Sequence, residues 1–247
     1  MTKSGGRAAR TIALVGLCLA FTAIFLALGG WQVQRRAWKL DLIARVEQRI
    51  HAEPAPPPGP GRWAGISQAS DGYRRLRLTG RFAHDRETLV QAVTTEGPGF
   101  WVMTPLHTDQ GFDVLINRGF VSAARRAPGS RLAAQVQGPV SVVGLLRLTE
   151  PRGGFLRSNA PAENRWYSRD VAAIGQARGL SHLAPYFVDA DAAPNSGGWP
   201  IGGLTVVKFP NSHLVYMLTW FGLALLTGGA AVYVLLDARR NRVKETP

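Results

Sequence analysis

Two long apolar segments, one near each end of the chain, dominate its pattern of hydrophobic and polar residues. Residues 11–30 and residues 213–236 contain no Asp, Glu, Lys or Arg. A helix of about 20 residues is long enough to cross the roughly 30 Å hydrocarbon core of a bilayer. Both segments are apolar on every helical face, whereas a buried helix of a soluble protein usually keeps a polar stripe. The pattern therefore predicts two transmembrane helices, at 11–30 and 213–236.

The first apolar segment also has features of a cleaved signal peptide. Lys3, Arg7 and Arg10 form a basic region before it. The triplet Ala27-Leu28-Gly29 near its end has the small residues of a cleavage site. However, the segment is longer than the usual apolar region of about 7–15 residues in a signal peptide, and the helical pattern continues over 31–50. These two features favour an uncleaved anchor.

The residues after the first span predict a helical stalk followed by a stiff linker. In the stalk, 31–50, apolar side chains recur at steps of seven or four residues and form one helical stripe: Trp31, Trp38, Leu42, Val46 and Ile50. The linker, 51–62, contains five prolines, which exclude a helix. Because proline-rich segments are extended and stiff, we expect the linker to act as a spacer.

Beyond the linker, residues 63–210 change from the period of helices to the period of strands. Residues 74–82 alternate apolar side chains with Arg75, Arg77 and Arg81, which predicts a strand with one basic, solvent-facing side. Further short runs of β-branched and aromatic residues, separated by turn residues, predict strands at 88–94, 100–107, 112–121, 140–148, 165–168, 185–188 and 204–208.

One short helix interrupts these strands. Asp170 is placed to cap a helix over 171–178, and Gly179 is placed to end it. The expected fold class is therefore α+β. Two transmembrane helices flank an antiparallel, β-rich extracytoplasmic domain, either a sheet or a small barrel, with one short helix.

The charges that flank the spans predict which side of the membrane each part faces. The basic tail, 237–247, carries more positive charge than the other end of the second span, which has Lys208 alone; the basic residues of the tail are Arg239, Arg240, Arg242 and Lys244. Positive loops stay in the cytoplasm, so both termini, 1–10 and 237–247, are predicted there. Three basic residues after the first span weaken the asymmetry at that end: Arg35, Arg36 and Lys39.

The predicted location is the inner (plasma) membrane of a bacterium, with the central domain in the periplasm. The ten residues before the first span do not resemble a mitochondrial transit peptide. The formal net charge of +13 would suggest a nucleic-acid ligand in a soluble protein. Here the arginines are spread along the outer domain, which favours a membrane surface or an acidic partner over nucleic acid. A solvated arginine-rich face is the alternative.

The sequence contains none of the familiar motifs of enzymes. There is no P-loop, GxGxxG, HExxH or GxSxG. The single cysteine, Cys18, lies inside the first span, so a disulfide framework and a CxxC redox site are excluded. Four histidines are scattered and are expected to be ordinary surface or loop residues: His51, His84, His107 and His182. We therefore predict that the protein is not an enzyme.

His213 differs from the other histidines because it stands at the outer end of the second span. Tyr216 and Trp220 follow at i+3 and i+7 and share its helical face. Such a face suits a flat aromatic ligand, and neutral imidazole is a common axial ligand of haem iron. Alternatively, Tyr216 and Trp220 belong to an aromatic belt and His213 is a polar cap. The residues alone favour this second interpretation.

A series of short motifs runs through nearly the whole chain in a characteristic order: Gly30-Trp31-Gln32, Gly80-Arg81-Phe82, Thr104-Pro105-Leu106, Asn117-Arg118-Gly119, Asn164-Arg165-Trp166-Tyr167, then Asn211, His213 and Thr219-Trp220-Phe221. Together these motifs resemble the SURF1 family of cytochrome c oxidase assembly factors. The resemblance implies an assembly function rather than turnover of a substrate. The topology predicted from the spans and their flanking charges is also that of the family.

The resemblance implies a cofactor and partners. SURF1-like proteins help to insert haem a into the catalytic subunit of the terminal oxidase, and a second-span histidine is implicated in binding the haem in bacterial members. That position is His213 here, with Trp220 and Tyr216 as neighbours. The outer domain is expected to recognise the oxidase catalytic subunit or the haem a synthase. Ser212 and Met217 stand where asparagine and alanine are frequent, which would alter the edge of the pocket.

Two alternatives remain for the outer domain. Arg118 is either paired within a turn at a strand end or in contact with a partner; the structural role is favoured, but Arg118 remains the best partner-binding candidate. Gly80 and Gly119 are expected to supply backbone freedom at bulges or turns.

The alternative for the whole protein is a cofactor-free, membrane-anchored scaffold that stabilises an oxidase subunit during assembly.

Overall fold

The computed structural model describes the chain in four stretches: residues 3–151, 153–154, 156–207 and 209–244. Lys208, residues 245–247 and the side chains of Lys3, Arg242 and Lys244 lie outside the described residues, so the charges predicted there are not placed. The chain divides into two compact units. One comprises the residues up to 44 and those after 207, and the other comprises residues 45–207.

Two long helices make up most of the first unit. Helix α1 spans Lys3–His51 and helix α3 spans His213–Lys244, while the short helix α2, Val171–Arg178, belongs to the second unit. Two segments of the long helices, Ala9–His51 and His213–Asn241, have the length and apolar composition needed to cross a membrane. They indicate that the chain is anchored in a membrane.

Six strands form a small closed barrel in the second unit: β1 (Arg75–Phe82), β2 (Thr88–Thr94), β3 (Gly97–Thr108), β4 (Asp113–Ser122), β5 (Val140–Leu148) and β6 (Leu183–Ala190). They are ordered β1-β5-β6-β4-β3-β2, and an additional pairing of β1 with β3 closes the barrel. Every pairing is antiparallel except that of β4 with β6. The predicted α+β architecture is confirmed, and the sheet takes the form of a barrel.

Alternation along the strands determines which side chains fill the barrel. In β1, Leu76 and Leu78 are fully buried, whereas Arg77 and Arg81 point to the other side and are exposed. The two leucines pack in a core cluster that includes Leu106, Ile116, Leu146, Tyr186 and Val188. The prediction of a strand with one basic, wet face is confirmed.

Helix α2 begins and ends where the sequence predicted. The side chain of Asp170 accepts a hydrogen bond from the backbone N–H of Ala173 at 3.1 Å, and Gly179 ends the helix with a positive φ of 64°. Ile174 is fully buried on the face that packs against the sheet, in a second core cluster around Trp166. The helix therefore covers one side of the barrel.

The proline-rich linker packs against the barrel rather than standing free as a spacer. The backbone N–H of Ala55 donates to the carbonyl of Arg75 at 3.0 Å. The carbonyl of Ala55 accepts from the backbone N–H of Arg77 at 2.9 Å. The carbonyl of Pro58 accepts hydrogen bonds from the side chains of Trp63 and Tyr186. Burial raises the pKa of the Tyr186 hydroxyl far above its ordinary value. The linker is thus part of the domain.

Two of the predicted strands are wrong. Residues 165–168 pair only through isolated bridges, one of which includes a hydrogen bond from the N–H of Gln91 to the carbonyl of Trp166 at 2.9 Å. Residues 204–207 form no strand, and Lys208 lies outside the described residues. Their composition suited a strand, but a strand also needs a neighbour along its length to satisfy its backbone groups.

Two glycines let the backbone pass close to other strands and loops. Gly80 lies where β1 pairs with both β5 and β3, and a Cβ there would lie 2.1 Å from the carbonyl oxygen of His107. Gly119 has a positive φ of 127°, and a Cβ there would lie 2.1 Å from the carbonyl oxygen of Ile201. Both positions therefore require glycine, as the sequence predicted.

We expect Gly119→Ala to lower the free energy of unfolding by about 1–3 kcal/mol from backbone strain alone, with the clash against Ile201 adding to that loss. The measurement is urea unfolding of the full-length protein in detergent, followed by tryptophan fluorescence. Gly129→Ala is the matched control, because a Cβ there meets nothing within 4 Å. Equal midpoints for the two variants would contradict the close approach at Gly119.

Candidate functional site

Helices α1 and α3 contact each other through successive layers of side chains within the first unit. The hydroxyl oxygens of Thr22 and Thr227 are 2.8 Å apart. The rings of Phe25 and Trp220 are stacked, with centroids 5.7 Å apart and planes 23° from parallel. Because the contact positions ascend along α1 while they descend along α3, the two helices are antiparallel.

The two helices share a seam with the spacing of a coiled coil. In α1, a series of buried or partly buried positions recurs at steps of four and three residues: Thr11, Val15, Cys18, Thr22, Phe25, Gly29 and Gln32. In α3 the corresponding series is His213, Met217, Trp220, Ala224, Thr227, Ala231 and Val234. Such spacing keeps one face of each helix toward its partner over several turns.

Gly29 allows the helices to approach closely beside the predicted site. A Cβ at Gly29 would lie 2.6 Å from the ring of Phe221, so only a glycine leaves room for that ring in its present position. Ala224 and Ala231 are small seam residues of α3, and both are almost completely buried. Small residues are the usual means by which membrane helices pack.

The next layer pairs two polar side chains, Gln32 and His213. Nδ1 of His213 lies 2.7 Å from Oε1 of Gln32, and Gln32 is only 7% exposed. This is the only hydrogen bond that the His213 ring makes within the described residues. Hydrocarbon offers no hydrogen-bond partners, so polar groups on membrane helices pair within the protein. The pair therefore ties the first turn of α3 to α1.

The other two predicted site residues differ in their surroundings. Trp220 lies two helical turns beyond His213, on the same side of α3, and stacks on Phe25. Tyr216 is 53% exposed on the surface of α3. The structure therefore brings His213 and Trp220 together on the seam and leaves Tyr216 at its edge.

Asn211 adds a polar atom just before α3. Its Oδ1 is buried and has no hydrogen-bond partner among the described residues. A buried acceptor without a donor costs about 1–3 kcal/mol and is uncommon in folded proteins. This oxygen can therefore accept a hydrogen bond from a bound molecule.

Arg118, the candidate for partner binding, is buried inside the second unit and is only 2% exposed. Its Nη2 donates to the carbonyl of Ala134 at 2.5 Å and to Oδ1 of Asn195 at 3.2 Å. The guanidinium carbon lies 4.8 Å from the ring centroid of Phe82. Burial lowers the pKa of Arg118 to about 10, so the side chain stays charged at neutral pH. These contacts support the structural role for Arg118.

The neighbouring Asn117 belongs to a buried network around Asp189. The Asp189 carboxylate accepts hydrogen bonds from Asn117 at 2.7 Å, Arg147 at 2.8 Å and Arg169 at 3.0 Å. Nε of Arg169 also donates to Glu150 at 3.0 Å. Burial alone would lower the pKa of Arg169, but the carboxylates of Asp189 and Glu150 outweigh it and raise that pKa. The network joins strands β4, β5 and β6.

Comparison with known proteins places these features in a family. The sequence profile described as the SURF1 family matches residues 19–225. The chain belongs to the SURF1 family. Surfeit locus protein 1 of Mus musculus is 39% identical over 226 residues, which cover 85% of this chain and 71% of that protein. The protein of the same name from Takifugu rubripes is 36% identical over 227 residues, 85% of this chain and 91% of that protein.

A more distant relative extends the same similarity. The SURF1-like protein of Monosiga brevicollis is 35% identical over 232 residues, which cover 88% of this chain and 85% of that protein. The profile match over residues 19–225 includes the whole barrel and part of each of the two long helices.

Sequence reasoning on this SURF1 family member missed two residues beside His213. Gln32 stands in the Gly30-Trp31-Gln32 motif, which by itself indicates no role for it, and Phe25 lies within the apolar segment 11–30. The available signal for Gln32 was its polarity on an otherwise apolar face, at a seam position seven residues after Phe25. No local signal links either residue to α3.

We expect Gly29→Val to displace Phe221 and separate the helices near this layer, because even a Cβ would lie 2.6 Å from the ring. The measurement is disulfide cross-linking between cysteines introduced by Thr22→Cys and Thr227→Cys, in a chain that also carries Cys18→Ala. The cross-linked fraction should fall several-fold when Gly29→Val is added.

The matched control is Gly30→Val. A Cβ at Gly30 meets nothing within 4 Å, so this change should leave the cross-linked fraction as it was. If both valine variants cross-linked equally well, the close packing at Gly29 would be disproved.

We expect Arg118→Leu to lower the free energy of unfolding by about 1–3 kcal/mol, since the carbonyl of Ala134 loses its buried donor. Thermal or urea unfolding of the full-length protein measures this. Arg77→Leu is the control, because Arg77 is exposed on β1 and its replacement should change stability by no more than about 0.5 kcal/mol. An unchanged midpoint for Arg118→Leu would rule out the structural role.

Proposed function

We propose that this protein is an assembly factor for a haem-copper terminal oxidase, which binds haem a and assists its insertion into the catalytic subunit. Membership of the SURF1 family supports the oxidase part of this proposal, because the motifs shared with that family imply such a role. The observation that carries the haem part is the 2.7 Å hydrogen bond between His213 and Gln32. It holds one nitrogen of an imidazole at the end of an apolar helix and leaves the other for a ligand.

The residues around His213 suit a flat, largely apolar molecule. A histidine that binds metal through one ring nitrogen usually donates a hydrogen bond from the N–H of the other to a protein acceptor. For His213 that acceptor is Oε1 of Gln32. Haem a would supply the iron, and Nε2 of His213 would coordinate it. Tyr216 would supply an exposed aromatic surface, and Oδ1 of Asn211 would accept a hydrogen bond from a polar group of the cargo.

Reversible binding is what the proposed role requires. A carrier must hold haem a and then release it to the oxidase, so a single exchangeable ligand suits transfer better than two. His213 is half-buried at the first residue of α3 rather than enclosed in a core. The protein then acts by ligand exchange and positioning, and we assign it no catalytic residue.

The proposed location is the inner membrane of a bacterium, with both termini in the cytoplasm and the barrel in the periplasm. The basic tail supports this orientation through the positive-inside rule. The proposed partners are the oxidase catalytic subunit and the haem a synthase, which the barrel would contact. Arg77 and Arg81 on the exposed side of β1 are available for an acidic partner, whereas Arg118 is not.

The test is an optical spectrum of the detergent-purified protein after co-expression with the enzymes that make haem a. We expect bound haem a in the wild type and at least a tenfold loss in His213→Ala, since the iron loses its ligand. His107→Ala is the matched control, because His107 is exposed on the barrel and pairs with Asp113 at 3.0 Å. It should bind as much haem as the wild type.

Two outcomes would count against the proposal. Undiminished haem a in His213→Ala would exclude His213 as the ligand. Absence of haem from the wild type, with haem a confirmed in the same membranes, would exclude the carrier and favour the cofactor-free scaffold. In that case the exposed arginines of β1 would become the residues to test for oxidase assembly.

A further inference from the structure

Gln32 is a buried side chain to which the proposed function has assigned only a hydrogen bond. Its Oε1 lies 2.7 Å from Nδ1 of His213, and the residue is 7% exposed on the seam between α1 and α3. An amide oxygen carries no hydrogen, so it can only accept. A neutral His213 in this contact must therefore carry its hydrogen on Nδ1 and its lone pair on Nε2.

We propose that Gln32 is a positioning residue that selects the tautomer of His213 and so keeps Nε2 ready to bind the iron of the cargo. This inference rests on the proposed function, since it concerns the same histidine. Gln32 itself touches no cargo. It acts through His213, in the way that hydrogen-bond partners of metal-binding histidines fix the ring and its proton.

The surroundings of the pair strengthen the selection. The two tautomers of a neutral imidazole differ little in free energy, so one directed hydrogen bond in a medium of low dielectric is enough to favour one of them. Water, which would compete for both ring nitrogens, has little access to Gln32 at 7% exposure. The contact also uses an uncharged acceptor, so no isolated charge is buried between the helices.

The register of the two helices places Gln32 opposite His213. Phe25 and Trp220 stack two helical turns from this pair along the seam. Between the two contacts, the ring of Phe221 packs against Gly29. The two residues of the pair are 181 positions apart in sequence. The tautomer of His213 is therefore set by the packing of α1 against α3 and not by residues of α3 alone.

The opposite orientation of the Gln32 amide gives the contrary prediction. If the amide nitrogen faced His213, it would donate to Nδ1, and the ring hydrogen would lie on Nε2. The histidine would then need to exchange its hydrogen between nitrogens before it could bind iron through Nε2. The two orientations are distinguished by the position of one hydrogen.

The experiment is nitrogen NMR of the full-length protein in detergent, without haem and labelled with ¹⁵N-histidine, with the His213 signals assigned by their loss in His213→Ala. We expect the Nδ1–H tautomer in the wild type and a mixture of tautomers in Gln32→Leu. Gln32→Glu keeps an oxygen acceptor and should keep the Nδ1–H form at a pH high enough for a neutral ring, since its carboxylate otherwise favours a ring protonated on both nitrogens. Gln34→Leu, an exposed position on the same helix, is the matched control and should resemble the wild type.

The same four proteins are then compared for bound haem a after co-expression. We expect several-fold less haem in Gln32→Leu and wild-type amounts in Gln32→Glu and Gln34→Leu. Cross-linking between cysteines at positions 22 and 227 verifies that the helices remain packed in each variant. If Gln32→Leu kept this cross-link and still lost haem, misfolding would not explain the loss, and the result would support the inference.

Failure of the inference is distinct from failure of the proposed function. An Nε2–H tautomer in the wild type, or unchanged haem in Gln32→Leu, would overturn the role of Gln32 while His213→Ala still lost its haem. A wild type that binds no haem a would overturn both. Gln32→Leu variants that no longer cross-link would also refute the inference, because Gln32 would then act on helix packing.

Discussion

Inside a bilayer, a polar side chain must find its hydrogen-bond partner within the protein, because hydrocarbon supplies none. The same need for an internal partner applies to Gln32, which is buried between α1 and α3 and pairs with His213 only while the two helices stay antiparallel and in one register. The contact between Thr22 and Thr227 fixes the same register several turns away. The packing of α1 against α3 therefore also determines the hydrogen bonding of His213. A change that loosens the seam would alter the surroundings of His213 without touching it.

The barrel follows the same rule with charges in place of amides. Asp189 is buried and accepts from two arginines and one asparagine, so its charge is compensated and its oxygens are bonded. Arg118 donates a hydrogen bond to the carbonyl of Ala134. Burial removes water from its guanidinium group and lowers its pKa. The motif Asn117-Arg118-Gly119 thus stabilises the barrel from within. The proposed recognition of a partner would instead use exposed side chains, such as Arg77 on β1.

Local pattern predicted the membrane helices, the cap at Asp170 and the two sides of β1, because each depends on residues a few positions apart. Local pattern could not predict which strands pair with each other. The closure of β1 on β3 and the parallel alignment of β4 with β6 depend on contacts between distant segments. Residues 165–168 had the composition of a strand but pair only through isolated bridges. For the site, His213 was identifiable from its position, whereas Gln32 acquires meaning only through a contact across the fold.

The 181 residues between Gln32 and His213 also set an order of events during synthesis. At about 5–20 residues per second, a ribosome needs roughly 10–40 s to reach the histidine after it has passed the glutamine. During that interval α1 has no α3 beside it, while the barrel already has all of its strands before the second helix emerges. The side-chain amide of Gln32 cannot pair with His213 during that interval. The proposed haem site thus cannot form until α3 is made, so a chain interrupted before residue 213 would lack it although its barrel strands are complete.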